Sequence, residues 1–453
     1  MGVYRLYTSR VASGAILASM EGGGIIRNVT TLAANPARSD LLAIAEAGLE
    51  AIQTRQIIER SVIRSGDILM VRGVNYDLAA YDHVYFVGVG KCALDAGVSL
   101  VDILGDSLTE GVLLDVRDGD ALPQMQVLMG THPYPSAQNV AHTRTLLDVV
   151  RKGGEKDLVF MVISGGASAL LCQPERHTPS EESLLIQHLF KAGATIHDLN
   201  TVRKHLSLAR GGQLATAAYP AEVIALIFSD VPGNDLSIIA SGPTILDTST
   251  VDDARSVFRR YYGERCGFKE DYFFETPKVA TMFSRVHNEL VLTNGTALDA
   301  MQERASALGY RVLVRDTGVE GEARQVGEML AHELHAAHGG TVLLYGGETT
   351  VTVAGPGKGG RNQELSLGAL PVLKDDELVL SIASDGRDNT EYAGGIADRV
   401  TRELAKQAGL SVSDYLYTND AYTFFHTLQQ GVCTGYTGAN VADLIIGMKC
   451  ASG

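Results

Sequence analysis

The chain has 453 residues, 45% of them hydrophobic, enough for two packed cores, since a single core stops growing near about 250–300 residues. Its 53 acidic and 38 basic side chains leave a formal charge of −15 at pH 7, which argues against nucleic acid or an anionic membrane as partner but allows a local basic cleft for a small anion. No apolar run approaches the ~20 residues of a spanning helix, and Cys92, Cys172, Cys266, Cys433 and Cys450 lack metal spacing, so the expectation is a cytoplasmic protein with reduced thiols.

The first 27 residues carry Arg5, Arg10, several serines and no acid before Glu21, faintly like a transit peptide, and are assigned as an N-terminal extension. Ser39-Asp40 offers the cap of a helix from Leu41 to about Ile63. Buried strands are predicted over 82–89, 111–115, 126–129, 157–164 and 222–229, with a helix after Lys91. The run Leu158-Val159-Phe160-Met161-Val162-Ile163 is apolar at every position, as a parallel sheet covered by helices on both faces requires. A polar, aromatic stretch at 261–277 breaks the rhythm, and strands resume over 289–292, 311–315, 341–344, 351–354 and 378–384.

The pattern is that of an α/β protein with two domains. A Rossmann-like, doubly wound parallel sheet is placed over 28–255, and a smaller C-terminal α/β domain over 256–453. The last segment, near Asn440, can pack back on the first domain.

Ligands of such sheets collect beyond the carboxyl ends of the strands. Val87-Gly88-Val89-Gly90-Lys91 turns from strand to helix, so that glycine amides can approach an anion and Lys91 adds a mobile charge. Ser164-Gly165-Gly166-Ala167-Ser168 is a second candidate nest of backbone N–H groups with two hydroxyls. Asn200 to Ser207, with Arg203, Lys204 and His205, concentrates cations in an acidic protein. Asp230, in Ser229-Asp230-Val231-Pro232-Gly233-Asn234, ends a strand and could ligate Mg²⁺. In the second half, Gly346-Gly347-Glu348-Thr349 follows a strand, and Lys358 and Arg361 stand in a glycine-rich loop suited to anionic oxygens. Ser384 to Thr390 is rich in further oxygen ligands, Asp385 among them.

Together these strings resemble the glycerate 2-kinase family, whose C-terminal module is called MOFRL. The resemblance also rests on Thr131-His132-Pro133-Tyr134-Pro135, Glu275-Thr276-Pro277-Lys278, Gly321-Glu322-Ala323-Arg324 and Gly359-Gly360-Arg361-Asn362-Gln363-Glu364, and runs from about Asn28 to about Gly447. It implies transfer of the ATP γ-phosphoryl group to the 2-hydroxyl of D-glycerate, with Mg²⁺, in a cleft between two domains. By resemblance, Lys91 and Arg361 match the catalytic lysine and arginine, and Asp230 orients the acceptor hydroxyl. Gly88, Gly90, Ser164, Gly165, Gly166, Ser168, Lys204, Glu348, Lys358 and Asn362 would hold substrate or phosphate, Lys204 through the glycerate carboxylate. Asp230 and Asp385 would face the metal. Three residues depart from the pattern: Ala167 stands where glycine is usual, Ser136 where an acid is common, and Asn234 where aspartate is common.

An alternative is an NAD(P)H-dependent hydroxypyruvate reductase. Gly88, Gly90 and Ala93 satisfy the loose dinucleotide fingerprint, and Asp115 lies where a ribose-binding acid is expected. A lysine at the turn, a second anion loop and a basic third segment suit a triphosphate better. The partners expected are small molecules alone, and the assembly is left open, a homodimer included.

Overall fold

A computed structural model describes residues 23–261 and 268–451. The expected extension lies outside these residues except for 23–27, as does Cys266. The chain divides into two compact units: one formed by 52–293 with 438–441, the other by the residues up to Ala51, 294–437 and those from Ala442 onward. Among the described residues no helix is long and apolar enough to cross a membrane.

The first unit opens with a small antiparallel sheet of β1 (Val62–Ser65), β2 (Ile68–Val71) and β3 (Val74–Asp77). Its main sheet holds β4 (His83–Val89), β5 (Leu108–Asp115), β6 (Met125–Met129), β7 (Asp157–Ile163), β8 (Glu222–Phe228) and β9 (Val286–Leu292), all parallel, in the order β6-β5-β4-β7-β8-β9. The chain thus winds outward from β4 in one direction and from β7 in the other, leaving a topological switch point between them. β7 is buried at every position and β4 at all but the first, so their apolar side chains fill both faces of the sheet. The helix Ala93–Leu104 lies close on β5, because a Cβ on Gly97 would meet the Leu113 side chain at 2.3 Å.

The second unit is a mixed sheet of β10 (Arg311–Val319), β11 (Thr341–Gly347), β12 (Glu377–Ala383), β13 (Gly394–Ala397), β14 (Gly431–Val432) and β15 (Asp443–Lys449). Its order is β10-β11-β15-β12-β13-β14, with β10 and β11 parallel and every other pair antiparallel. The helix Pro36–Ala51 packs on this sheet beside the helix Asn294–Ala307, and its fully buried Arg38 pairs with Asp398 at 2.6 Å.

The division differs from the one placed near residue 255. The segment 256–293 carries β9, which completes the first sheet by pairing with β8, while the helix Pro36–Ala51 belongs to the second unit. The break in rhythm at 261–277 is therefore an excursion within the first unit. The helix expected from Leu41 to Ile63 is two helices, Pro36–Ala51 and Thr54–Ser61, because Gln53 is extended and restarts the chain in a new direction. Residues 351–354 form no strand: the Ala354 and Gly355 N–H groups donate to Asn419 Oδ1 (2.8 and 3.0 Å) and not to a neighbouring strand.

Candidate active site

Val89 and Ile163, the last residues of β4 and β7, are register partners at the switch point, and the turns beyond them interlock. Ser164 N donates to Val89 O (3.0 Å), Lys91 N to Gly165 O (2.9 Å) and Cys92 N to Ser164 Oγ (3.3 Å). Gly90 sits at φ +120°, and a Cβ there would lie 2.1 Å from Ser164 Oγ. Only glycine permits this approach. Gly166, at φ +86°, lets the second turn fold back on the first: a Cβ would stand 3.2 Å from Lys91 Cγ and 3.3 Å from His132 Cδ2. At Gly165 a Cβ would meet Asp230 Oδ2 at 2.1 Å. The structure therefore gathers Gly90, Lys91, Ser164, Gly165, Gly166 and Asp230 around one point, with Ser168 on the short helix Ala167–Leu170 that follows, whereas Gly88 lies within β4, where a Cβ would meet Leu113 and Ala93.

His132, singled out in sequence only as part of a motif, belongs to this group. Asn139 fixes its loop: the Asn139 side chain accepts from Thr131 N (2.8 Å) and donates to Thr131 O and Ala169 O, both at 2.9 Å. Desolvation, and then the charges of Lys91 and Arg203, push the His132 imidazole down to about 4, so it is neutral at physiological pH. Asp230 Oδ2 also accepts from Asn440 Nδ2 at 3.3 Å.

The segment after β8 is strained. Ala240 (φ +54°), Ser241 (φ +61°) and Gly242 (φ +56°) are consecutively left-handed, a conformation that costs non-glycine residues on the order of 1–3 kcal/mol each and collects at functional sites. The strain places Ser241 Oγ 3.0 Å from Ser168 Oγ and 2.7 Å from Asn200 Oδ1, to which it donates. This bridge joins the second nest to the helix Ile196–Lys204, which begins at a capping box formed by Thr195 and Asp198. Lys204 itself is committed elsewhere. Its ammonium is buried against Asp247 Oδ1 (3.1 Å), whose carboxylate also accepts from Ser249 and Thr276. The expectation that Lys204 meets the substrate carboxylate finds no support in this geometry.

In the second unit, Gly360 caps the helix Arg361–Ala369, so Arg361 and Asn362 stand at its start. Arg361 donates Nε to Asp443 Oδ2 (2.7 Å) and Nη2 to Asp443 Oδ1 (3.0 Å), and its Nη1 lies 2.8 Å from Glu348. Two of its five N–H groups are thus hydrogen-bonded to Asp443, and Glu348 adds a second negative charge beside it. Asn362 Nδ2 donates to the same Asp443 (2.8 Å) and accepts at Oδ1 from Ser381 (2.5 Å). Arg361 and Asn362 thus share one partner, Asp443, that the motif reading did not name. Lys358 is exposed, its ammonium 4.2 Å from the centre of the Tyr422 ring. Asp385 closes a turn, accepting from Arg387 N (3.0 Å).

A family model described as a domain of unknown function, DUF4147, matches residues 40–266, and one for the MOFRL family matches residues 341–443. The chain is 32% identical to a glycerate 2-kinase of Pyrococcus horikoshii, over 89% of this chain and 96% of that protein. It is 36% identical to the D-glycerate 2-kinase of Thermotoga maritima, over 81% and 91%. The chain belongs to the glycerate 2-kinase family. The crystal structure of a glycerate kinase from Thermotoga maritima is similar to it with a TM-score of 0.81 and 32% identity, covering 91% of this chain and all of the other.

The three departures from the family pattern fit locally. Ala167 is fully buried, and its N–H closes the nest on Ser164 O (3.2 Å). Ser136 donates to Asn139 Oδ1 (3.1 Å), reinforcing the residue that holds His132 in place. Asn234 takes φ +56°, a conformation asparagine tolerates well. The acid expected on a ribose is spent: Asp115 is fully buried and accepts from Leu94 N (2.9 Å), Arg117 N (3.0 Å) and Arg117 Nε (3.2 Å).

Proposed function

We propose that the chain transfers the γ-phosphoryl group of ATP to the 2-hydroxyl of D-glycerate. The observation that carries this reading is the pair of interlocked turns at the β4–β7 switch point, where backbone amides, Lys91 and Asp230 converge. Phosphoryl transfer asks the protein to position the reactants and neutralise charge more than to form bonds. The glycine turns and Lys91 cradle phosphate oxygens, and Arg361 keeps the catalytic role that the resemblance implies for it. Asp230 orients the acceptor hydroxyl.

Among the described residues there is no group of three His, Cys, Asp or Glu side chains placed to hold a metal. A Mg²⁺ ion held mainly by nucleotide phosphates and water, with one carboxylate, fits a site of this kind, and Asp230 beside Gly165 is the carboxylate it would use. When bound, the ion would spread charge over the phosphate oxygens. Asp385, tied into its turn, is a weaker candidate.

A coupled assay with D-glycerate, ATP and Mg²⁺, with phosphorus NMR of the product, tests the reading. A 2-phosphoglycerate signal supports it. Folded protein that yields neither ADP nor a phosphorylated acid rejects it.

A further inference from the structure

The cations of the segment Asn200 to Ser207 have unequal situations. Lys204 is neutralised by Asp247. Arg210 is fully buried, and its Nη1 donates to Glu182 Oε1 (2.7 Å), while its Nε and Nη2 have no hydrogen-bond partner among the described residues. Arg203, in the last turn of the helix Ile196–Lys204, has neither a carboxylate nor any other acceptor on its guanidinium among the described residues. Burial and the Arg210 guanidinium, offset in part by Glu182, lower Arg203 to about 10, so it stays charged at neutral pH. Glu182 is thus bonded to Arg210 and, among the described residues, not to Arg203, in a setting where an unpaired charge is costly.

The helix directs this charge toward the nests. Asn200 and Arg203 lie three residues apart and so share a face, and Asn200 is the residue bridged through Ser241 to Ser168. The Arg203 charge is felt at His132, together with that of Lys91. A neutral imidazole thus lies within the field of two cations, one on the phosphate-cradling turn and one on the helix.

We propose that Arg203 takes the carboxylate of the hydroxy-acid substrate, an inference that rests on the kinase reading above. The planar guanidinium fork matches a carboxylate through two parallel hydrogen bonds. The phosphoryl group already has its cradle in the glycine turns and Lys91. In a 2-hydroxy acid the hydroxyl is borne on the carbon next to the carboxylate. A carboxylate anchored on Arg203 therefore brings the 2-hydroxyl toward His132 and Lys91 and holds the 3-hydroxyl farther away. On this account regiochemistry is set by where the carboxylate is held.

The test compares the full-length chain with Arg203→Met and Arg203→Lys, measuring KM for D-glycerate and for ATP, and turnover of glycerol, in which a neutral CH₂OH replaces the carboxylate. Arg203→Met is expected to raise KM for D-glycerate on the order of 30- to 1,000-fold, leave KM for ATP within about threefold, and erase most of the preference for D-glycerate over glycerol. Arg203→Lys should recover part of that preference. An Arg203→Met enzyme whose glycerate KM stays within about threefold, or whose ATP KM rises in step, overturns the proposal. If Arg203→Met does not fold, Arg203→Lys alone decides on the same two KM values. Turnover of D-glycerate by the unaltered chain is read first: its absence rejects the kinase reading itself, whereas its presence with an unselective Arg203 effect rejects only this inference.

Discussion

Asp443 grips Arg361 through a two-point fork, Nε to Oδ2 at 2.7 Å and Nη2 to Oδ1 at 3.0 Å, and holds the neighbouring Asn362 with the same carboxylate. Burial pushes the Asp443 carboxyl up, and the Arg361 charge opposes that shift. The arginine is thus oriented before any substrate arrives, with no rotamer left to freeze on binding.

Asp443→Asn keeps the size of the side chain but gives up one acceptor oxygen and the charge. We expect kcat to fall by about tenfold or more, with a smaller change in KM for ATP, and Arg361→Ala to lose at least as much. Steady-state kinetics on variants with matched circular dichroism spectra would check this. Full activity in Asp443→Asn would mean that Arg361 needs no orienting partner.

Lys91→Ala should cost at least tenfold in kcat/KM, about 1.4 kcal/mol of transition-state stabilisation, if its charge meets the transferring group. A milder loss would leave the lysine as a solvated residue at a glycine turn.

Gly90→Ala should destabilise the first unit, because its methyl would fall 2.1 Å from Ser164 Oγ and 2.7 Å from Ser164 O at a positive φ. Adding Ser164→Gly removes the hydroxyl but not the carbonyl, so the urea midpoint of the double variant should stay well below that of the unaltered chain. Full recovery would show that the backbone can yield there.

Lys204→Met leaves the Asp247 carboxylate buried without its nearest cation. The cost should be about 3 kcal/mol in unfolding free energy, the usual penalty for removing one partner of a buried pair. Denaturant titration of the folded chain measures it directly.

Asp388 offers a pH test of opposite sense to most carboxylates. Burial raises it from 3.8 to about 6, although the N–H groups of Gln363 and Asn362, which its carboxylate accepts, work against the shift. The folded chain then holds the proton more readily than the unfolded one, so this stabilising contribution is complete below pH 3.8 and is lost as pH rises through about 6. The full span is about 3 kcal/mol, and the slope between those values should flatten in Asp388→Asn. An unchanged slope would assign the effect to another group.

Much of the first sheet was legible because its central strands are apolar at nearly every position, and both anion turns were visible because their glycines follow such runs. β9 was read into the wrong unit because it is only half-buried along most of its length and follows an irregular stretch. β15 was missed for a different reason: Asp443 to Lys449 resembles any short apolar run, and its place between β11 and β12 depends on partners nearly 70 and 100 residues away. Lys204 was read as a substrate ligand by resemblance, and sequence does not say which of two adjacent helical cations, about 100° apart, is met by a buried acid. Asp247, the partner of Lys204, lies 43 residues downstream.

The position of β15 has a consequence for how the enzyme comes into being. The strand that fills the middle of the second sheet is, among the described residues, the last in chain order, and its first residue is the aspartate that holds Arg361. The helix Pro36–Ala51, far earlier in the chain, packs against that strand and lacks this partner until residues 443–449 are added. A chain released before residue 443 would lack both the spine of the sheet and the grip on the arginine.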